Sequence, residues 1–106
     1  MAFDINEVVA EMVGAVKATV KDDWKLVRET AGTFLQTRKD RLELLASLRL
    51  NNEISQKFFL KRLEDEKKIL ESELHAVAIL TKATAQRAAN AAIDVLSKAV
   101  SKVILL

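Results

Sequence analysis

The sequence predicts an all-α fold, and three observations carry that reading. Proline is absent and glycine occurs twice in 106 residues, which leaves almost no turn chemistry for a hairpin-rich β fold. Fifteen alanines and fifteen leucines, with many Glu, Lys, Arg and Gln, are strong helix formers. Apolar residues recur at steps of three and four along nearly the whole chain, as one face of a helix requires. The length suits a single helical domain spanning residues 1–106.

The first element is helix A, expected over about residues 4–50. Its stripe runs Ile5, Val9, Met12, Val16, Val20, Trp24, Val27, Ala31, Leu35, Arg38, Leu42 and Leu45. Asp4 is an N-cap candidate, with Glu7 three residues later in a capping-box pattern. Gly32 interrupts the composition but not the phase of the stripe, so a continuous helix is expected there. The alternative is a break near Gly32, giving a three-helix bundle.

The clearest turn signal lies near residues 50–55, in Leu50-Asn51-Asn52-Glu53-Ile54-Ser55. Asn tolerates the left-handed backbone that ends a helix, and Asn52 or Ser55 caps the next one. Helix B is then expected over about 54–104. Its stripe is Phe59, Leu63, Glu66, Leu70, Leu74, Val77, Thr81, Thr84, Ala88, Ala92, Val95, Ala99 and Val103.

Two such helices, each about 70 Å long at 1.5 Å per residue, fold back as a long antiparallel helical hairpin. Folding at the turn sets Glu7 opposite Lys98 and Asp4 near Lys102. Gly14, Ala15 and Ala18 then face the stretch Ala88–Ala92, small against small. Arg38 and Glu66, the one charged residue in each stripe, also fall opposite each other. They are the expected register-setting polar pair, since buried charge specifies alignment more readily than it adds stability.

A lone hairpin leaves apolar flanks bare. Val8, Val13, Leu44 and Leu48 on helix A, with Leu80, Ile93 and Leu96 on helix B, form the expected self-association surface. A dimer of hairpins closing into a four-helix bundle covers them.

Composition narrows the function. Seventeen basic and 15 acidic side chains give a formal charge of +2, which predicts no nucleic-acid partner. The start carries acid where a secretory signal needs base, and no uncharged run approaches a membrane span. A cytoplasmic protein is the expectation. Cysteine is absent, which removes thiolate chemistry. There is one histidine, no phosphate-binding loop and no nucleophile elbow, so no catalytic residue, cofactor or metal ligand is assigned. Glu71 and His75 share a helix face, but their i,i+4 spacing is not the i,i+3 Glu–His spacing of carboxylate metal bundles, so a metal-binding bundle is a remote alternative.

The turn end is basic, with Arg41, Arg49, Lys57, Lys61 and Arg62 forming a candidate anion-binding tip. The expected function is that of a non-enzymatic, self-associating helical hairpin, a structural or adaptor element acting through helix–helix packing on its own copies or a protein partner. The alternative is a peripheral binder of lipid or another hydrophobic surface, suggested by the amphipathic C-terminal segment and the basic tip.

Overall fold

In the computed structural model, which describes residues 3–105, the protein is all-helical, with no strand among those residues. The chain forms four helices: α1 (Ile5–Val20), α2 (Trp24–Leu50), α3 (Gln56–Ala76) and α4 (Lys82–Leu105). A single 3₁₀ turn, Lys21–Asp23, joins the first two. The outer limits of the expected domain, residues 1–2 and 106, lie outside the described residues.

Three helix starts are capped by side chains, each satisfying a backbone N–H that the helix leaves without a partner. The Asp4 carboxylate accepts from the Asn6 amide at 2.9 Å. The Ser55 hydroxyl accepts from Phe58 at 3.0 Å, and that of Thr81 from Thr84 at 3.2 Å. Between α2 and α3 the chain reverses through Asn51–Ser55, with Asn52 at φ 59°, where its short polar side chain is at home.

Two expectations are corrected. Helix A does not run unbroken over 4–50, and helix B does not run unbroken over 54–104. The first divides at Lys21–Asp23 and the second at Val77–Thr81. The alternative break near Gly32 is also absent: α2 continues through that glycine. Neither joint contains glycine or proline. Lys21 instead takes φ 53°, ψ −110°, and Ile79 takes φ 58°. The physical reason for both bends is burial. Folding α1 back on α2, and α4 back on α3, covers within one chain the apolar flanks that straight helices would leave in water. The result measures 38 Å along its longest axis, about half the length of either helix had it stayed straight at 1.5 Å per residue.

The second joint is tied by specific bonds. Val77 and Ala78 both donate their amides to the Glu73 carbonyl, at 2.8 and 3.3 Å, and Leu80 donates to Leu74 at 3.2 Å. His75 Nδ1 donates to the Leu80 carbonyl at 2.8 Å. A carbonyl only accepts, so this contact places the proton on Nδ1.

Helix α1 packs against α4 and α2, and α3 packs against α4 and α2, closing a four-helix ring around one core. Among the largest fully buried side chains are Met12, Leu35, Leu42, Phe59, Leu63, Leu70, Leu74 and Leu96. From α4 the core takes Ala85, Ala88, Ala89 and Ala92. The small-against-small pairing expected at Gly14 and Ala18 does not form, because both are exposed. The alanines of α4 are buried in a core to which α1 contributes larger residues, Val9, Met12 and Val16.

Candidate functional site

The most unusual chemistry in the molecule lies between α2 and α3. Glu66 is 2% exposed, the one charged residue in the core among the described residues. Its position follows from helical spacing, since Phe59, Leu63, Leu70 and Leu74 occupy the same buried face of α3. Arg38 donates to both carboxylate oxygens, at 2.9 and 3.3 Å. Arg41 donates its Nε–H to Oε1 at 2.5 Å. A carboxylate removed from water needs such charge-assisted partners to hold its charge. Arg38 also lies over the Phe34 ring, 5.1 Å from its centroid, so the guanidinium is held from two sides. Arg38 is 29% and Arg41 55% exposed, so the buried acid connects to solvent through its cationic partners.

Sequence reasoning placed Arg38 opposite Glu66 but missed Arg41 in this role, having grouped it with the basic tip. The signal was present. Arg41 lies three residues beyond Arg38, and i,i+3 neighbours share a helix face. The other tip residues serve different ends. Arg49 braces the turn, donating to Gln56 Oε1 at 2.9 Å and to the Ile54 carbonyl at 3.5 Å. Arg62 lies over the Phe58 ring at 5.8 Å. Lys57 and Lys61 are exposed on the first turns of α3. The five basic residues therefore do not converge as one anion site: one neutralises Glu66, one ties the turn, one covers an aromatic ring and two stand in solvent.

The expected self-association surface is also redistributed. Val8, Leu80, Ile93 and Leu96 are buried in the chain's own core, and Val13 and Leu48 are half-buried. Only Leu44 of the seven stands exposed. The two joints cause this, because they bring each helix's flank against another part of the same chain.

Exposed apolar surface occurs elsewhere. Eight large apolar side chains stand exposed among the described residues: Leu26, Leu44, Phe58, Leu60, Ile69, Val77, Ile79 and Ile104. Seven lie on α2, on α3 or in the turn after α3. Leu26, Thr30, Thr33, Thr37 and Leu44 share one face of α2 by helical spacing. Beside it, Leu26, Thr30, Thr33, Phe34, Glu73 and Val77 help line an open cleft of about 580 Å³ whose wall includes Arg38. This face is apolar at its rim, hydroxyl-bearing along its middle and cationic at one edge.

His75 is exposed and uses one ring nitrogen to close the α3–α4 joint. No group of three or more His, Asp or Glu side chains within reach of a single metal ion is found among the described residues. No described helix is long and apolar enough to cross a membrane. Comparison with protein-family models, with curated proteins and with solved structures finds no match for this chain.

Proposed function

We propose that this protein is a non-enzymatic helix-packing element, a structural or adaptor component that self-associates. The outer face of α2 and α3 takes the helices of a second copy. The observation that carries the reading is that seven of the eight exposed large apolar side chains among the described residues lie on α2, on α3 or in the turn after α3, with α1 contributing none. A face carrying Leu26, Leu44, Ile69 and Val77 loses unfavourable hydration when covered. The threonine stripe between the leucines is small enough for a helix to lie close and polar enough to stay soluble alone. The Arg38–Glu66–Arg41 cluster holds α2 and α3 in one alignment and so presents the face as a fixed shape.

Sedimentation velocity across a wide concentration range tests this. The wild-type chain should move to a dimer or higher multiple as concentration rises. The variant Leu26→Glu/Leu44→Glu should remain monomeric with its helical circular dichroism unchanged. A wild-type monomer at every concentration overturns self-association.

One observation favours a second reading, a peripheral hydrophobic-surface binder. Phe58 and Leu60 stand exposed beside Lys57, Lys61 and Arg62 at the start of α3, the pairing of apolar and basic residues that anionic interfaces attract. Co-flotation with anionic vesicles, lost at high salt or in Phe58→Ser, would move the protein to that class.

A further inference from the structure

The two bends that divide the chain are placed together. Leu26, just past Lys21–Asp23, and Val77, at the start of Val77–Thr81, line one cleft. On either side of them the arms face each other in one register. Asp4, Glu7, Lys98 and Lys102 together line one cleft on the α1–α4 side. Arg38 meets Glu66 on the α2–α3 side. The molecule is therefore a long two-helix hairpin folded across its middle.

Both bends carry backbone cost. Lys21 sits at φ 53°, ψ −110°, and Ile79 at φ 58°. L-residues avoid positive φ, and the β-branched Ile79 does so most strongly. Ile79 is also 84% exposed, so no packing of its side chain compensates. Meanwhile the core face runs through the first joint at helical spacing, as Val16, Val20, Trp24 and Val27, and buried Leu74, Ala78 and Ala85 keep helical phase across the second, with Thr81 between them. Thr81 caps α4 and Asp22-Asp23 suit a helix start, but no glycine or proline stands at either joint to bar a straight helix.

We propose that the chain exchanges halves with a second copy. Both joints straighten into helix, and each chain becomes an extended hairpin. Two such hairpins lie antiparallel. Contacts of α1 with α4, and of α2 with α3, stay within a chain. Contacts of α1 with α2, and of α3 with α4, are remade between chains. The same core forms, with the same partners, around a twofold axis at the joints. The occupant is fixed by the molecule itself, since the surface exposed on opening is complementary only to the half it has just released. Strained joints of this kind favour exchange, and the folded-back monomer prevails when chains are dilute. The inference goes beyond the α2–α3 face described above, and that face remains exposed in either form.

The lack of cysteine makes the test direct. Lys39 Nζ on α2 donates to Asn6 Oδ1 on α1 at 3.2 Å. Within one straightened chain these residues stand about 50 Å apart at 1.5 Å per residue, and each instead meets its counterpart in the second copy. The variant Asn6→Cys/Lys39→Cys is refolded at high concentration, its dimer is isolated by size exclusion, and a short bis-maleimide is added. Cross-links between chains support the exchange. A dimer cross-linked only within each chain overturns it and leaves association through the α2–α3 face intact. No dimer at any concentration overturns both.

A second variant reads the joints themselves. Lys21→Gly/Ile79→Gly relieves the positive-φ cost of the bent form alone, at about tenfold per joint in each chain. It should weaken an exchanged dimer by well over a hundredfold. An unchanged dimer affinity overturns the proposal.

Discussion

The α1–α4 half and the α2–α3 half of this molecule each pair two helices but bury different chemistry between them. On the α1–α4 side the buried residues are all aliphatic or Met: Val9, Met12 and Val16 from α1, and Ala85, Ala88, Ala89, Ala92, Leu96 and Val100 from α4. Small residues on one helix let a larger-sided neighbour come close, and interaxial distance follows from the side chains at the contact. On the α2–α3 side the core includes Glu66, held by two guanidiniums, and the outer surface carries Leu26, Leu44, Phe58 and Ile69. One half is apolar inside and exposes, of its large apolar side chains among the described residues, only Ile104. The other carries a polar pin inside and apolar surface outside. Apolar packing accepts many alignments at similar energy, whereas a buried carboxylate accepts few, and the half with the buried ion cluster is also the half with most of the exposed apolar side chains among the described residues.

The sharpest way to break this contrast is to strand the buried acid. Arg38→Ala/Arg41→Ala leaves the Glu66 charge without a partner and should destabilise the fold by about 3–5 kcal/mol, read from the urea midpoint. A large apolar deletion should rank next or equal. Leu70→Ala beside the pin is expected to cost about 2–4 kcal/mol, as is Met12→Ala on the apolar side. If the two differ strongly, one half collapses around cavities better than the other. Arg38→Ala alone should cost only about 1–2 kcal/mol, because Arg41 stays on the carboxylate and Arg38 is partly in water. Replacing the pair with Arg38→Met/Glu66→Leu should keep or raise the melting temperature while broadening the amide spectrum of α2 and α3, the sign of a loosened alignment.

The smallest effects are stabilising. A methyl group added at Gly14 or Gly32 meets nothing within 4 Å, and both glycines lie inside helices. Gly14→Ala and Gly32→Ala should each stabilise by about 0.5–1 kcal/mol. Gly14 reads the α1–α4 half and Gly32 the α2–α3 half, so unequal gains would show which helix is nearer its own stability limit. A loss at either would place a partner surface against that glycine.

Much of the architecture was legible in individual residues. Asp4 marks the first helix start, and Asn51–Ser55 marks the reversal, because capping and left-handed turns draw on local chemistry. The Arg38–Glu66 juxtaposition came from counting outward from that reversal. The two joints could not be found this way. Thr81, three residues before Thr84, carries the signature of a helix cap, but it also falls in phase with the apolar stripe and reads equally well as a helix interior. Lys21-Asp22-Asp23 offers acidic residues at the start of a helix, where the dipole favours them, yet Val20 and Trp24 on either side keep the stripe unbroken. The expected self-association surface went astray for the same reason: Val8, Ile93 and Leu96 did need cover, and the chain supplies it internally.

Helix content, the place of the central reversal and the meeting of Arg38 with Glu66 are determined by the sequence read alone, because each rests on neighbours along the chain or on a count from one turn. Where the arms bend, and therefore which apolar residues are core and which remain exposed, is decided only in the tertiary structure. A bend that keeps the stripe in phase leaves only local marks, such as Thr81 and Asp22-Asp23, that a helix interior also tolerates. Its cost is a few unfavourable dihedral angles at Lys21 and Ile79, and its return is the burial of α1 against α2 and of α3 against α4, contacts between residues tens of positions apart.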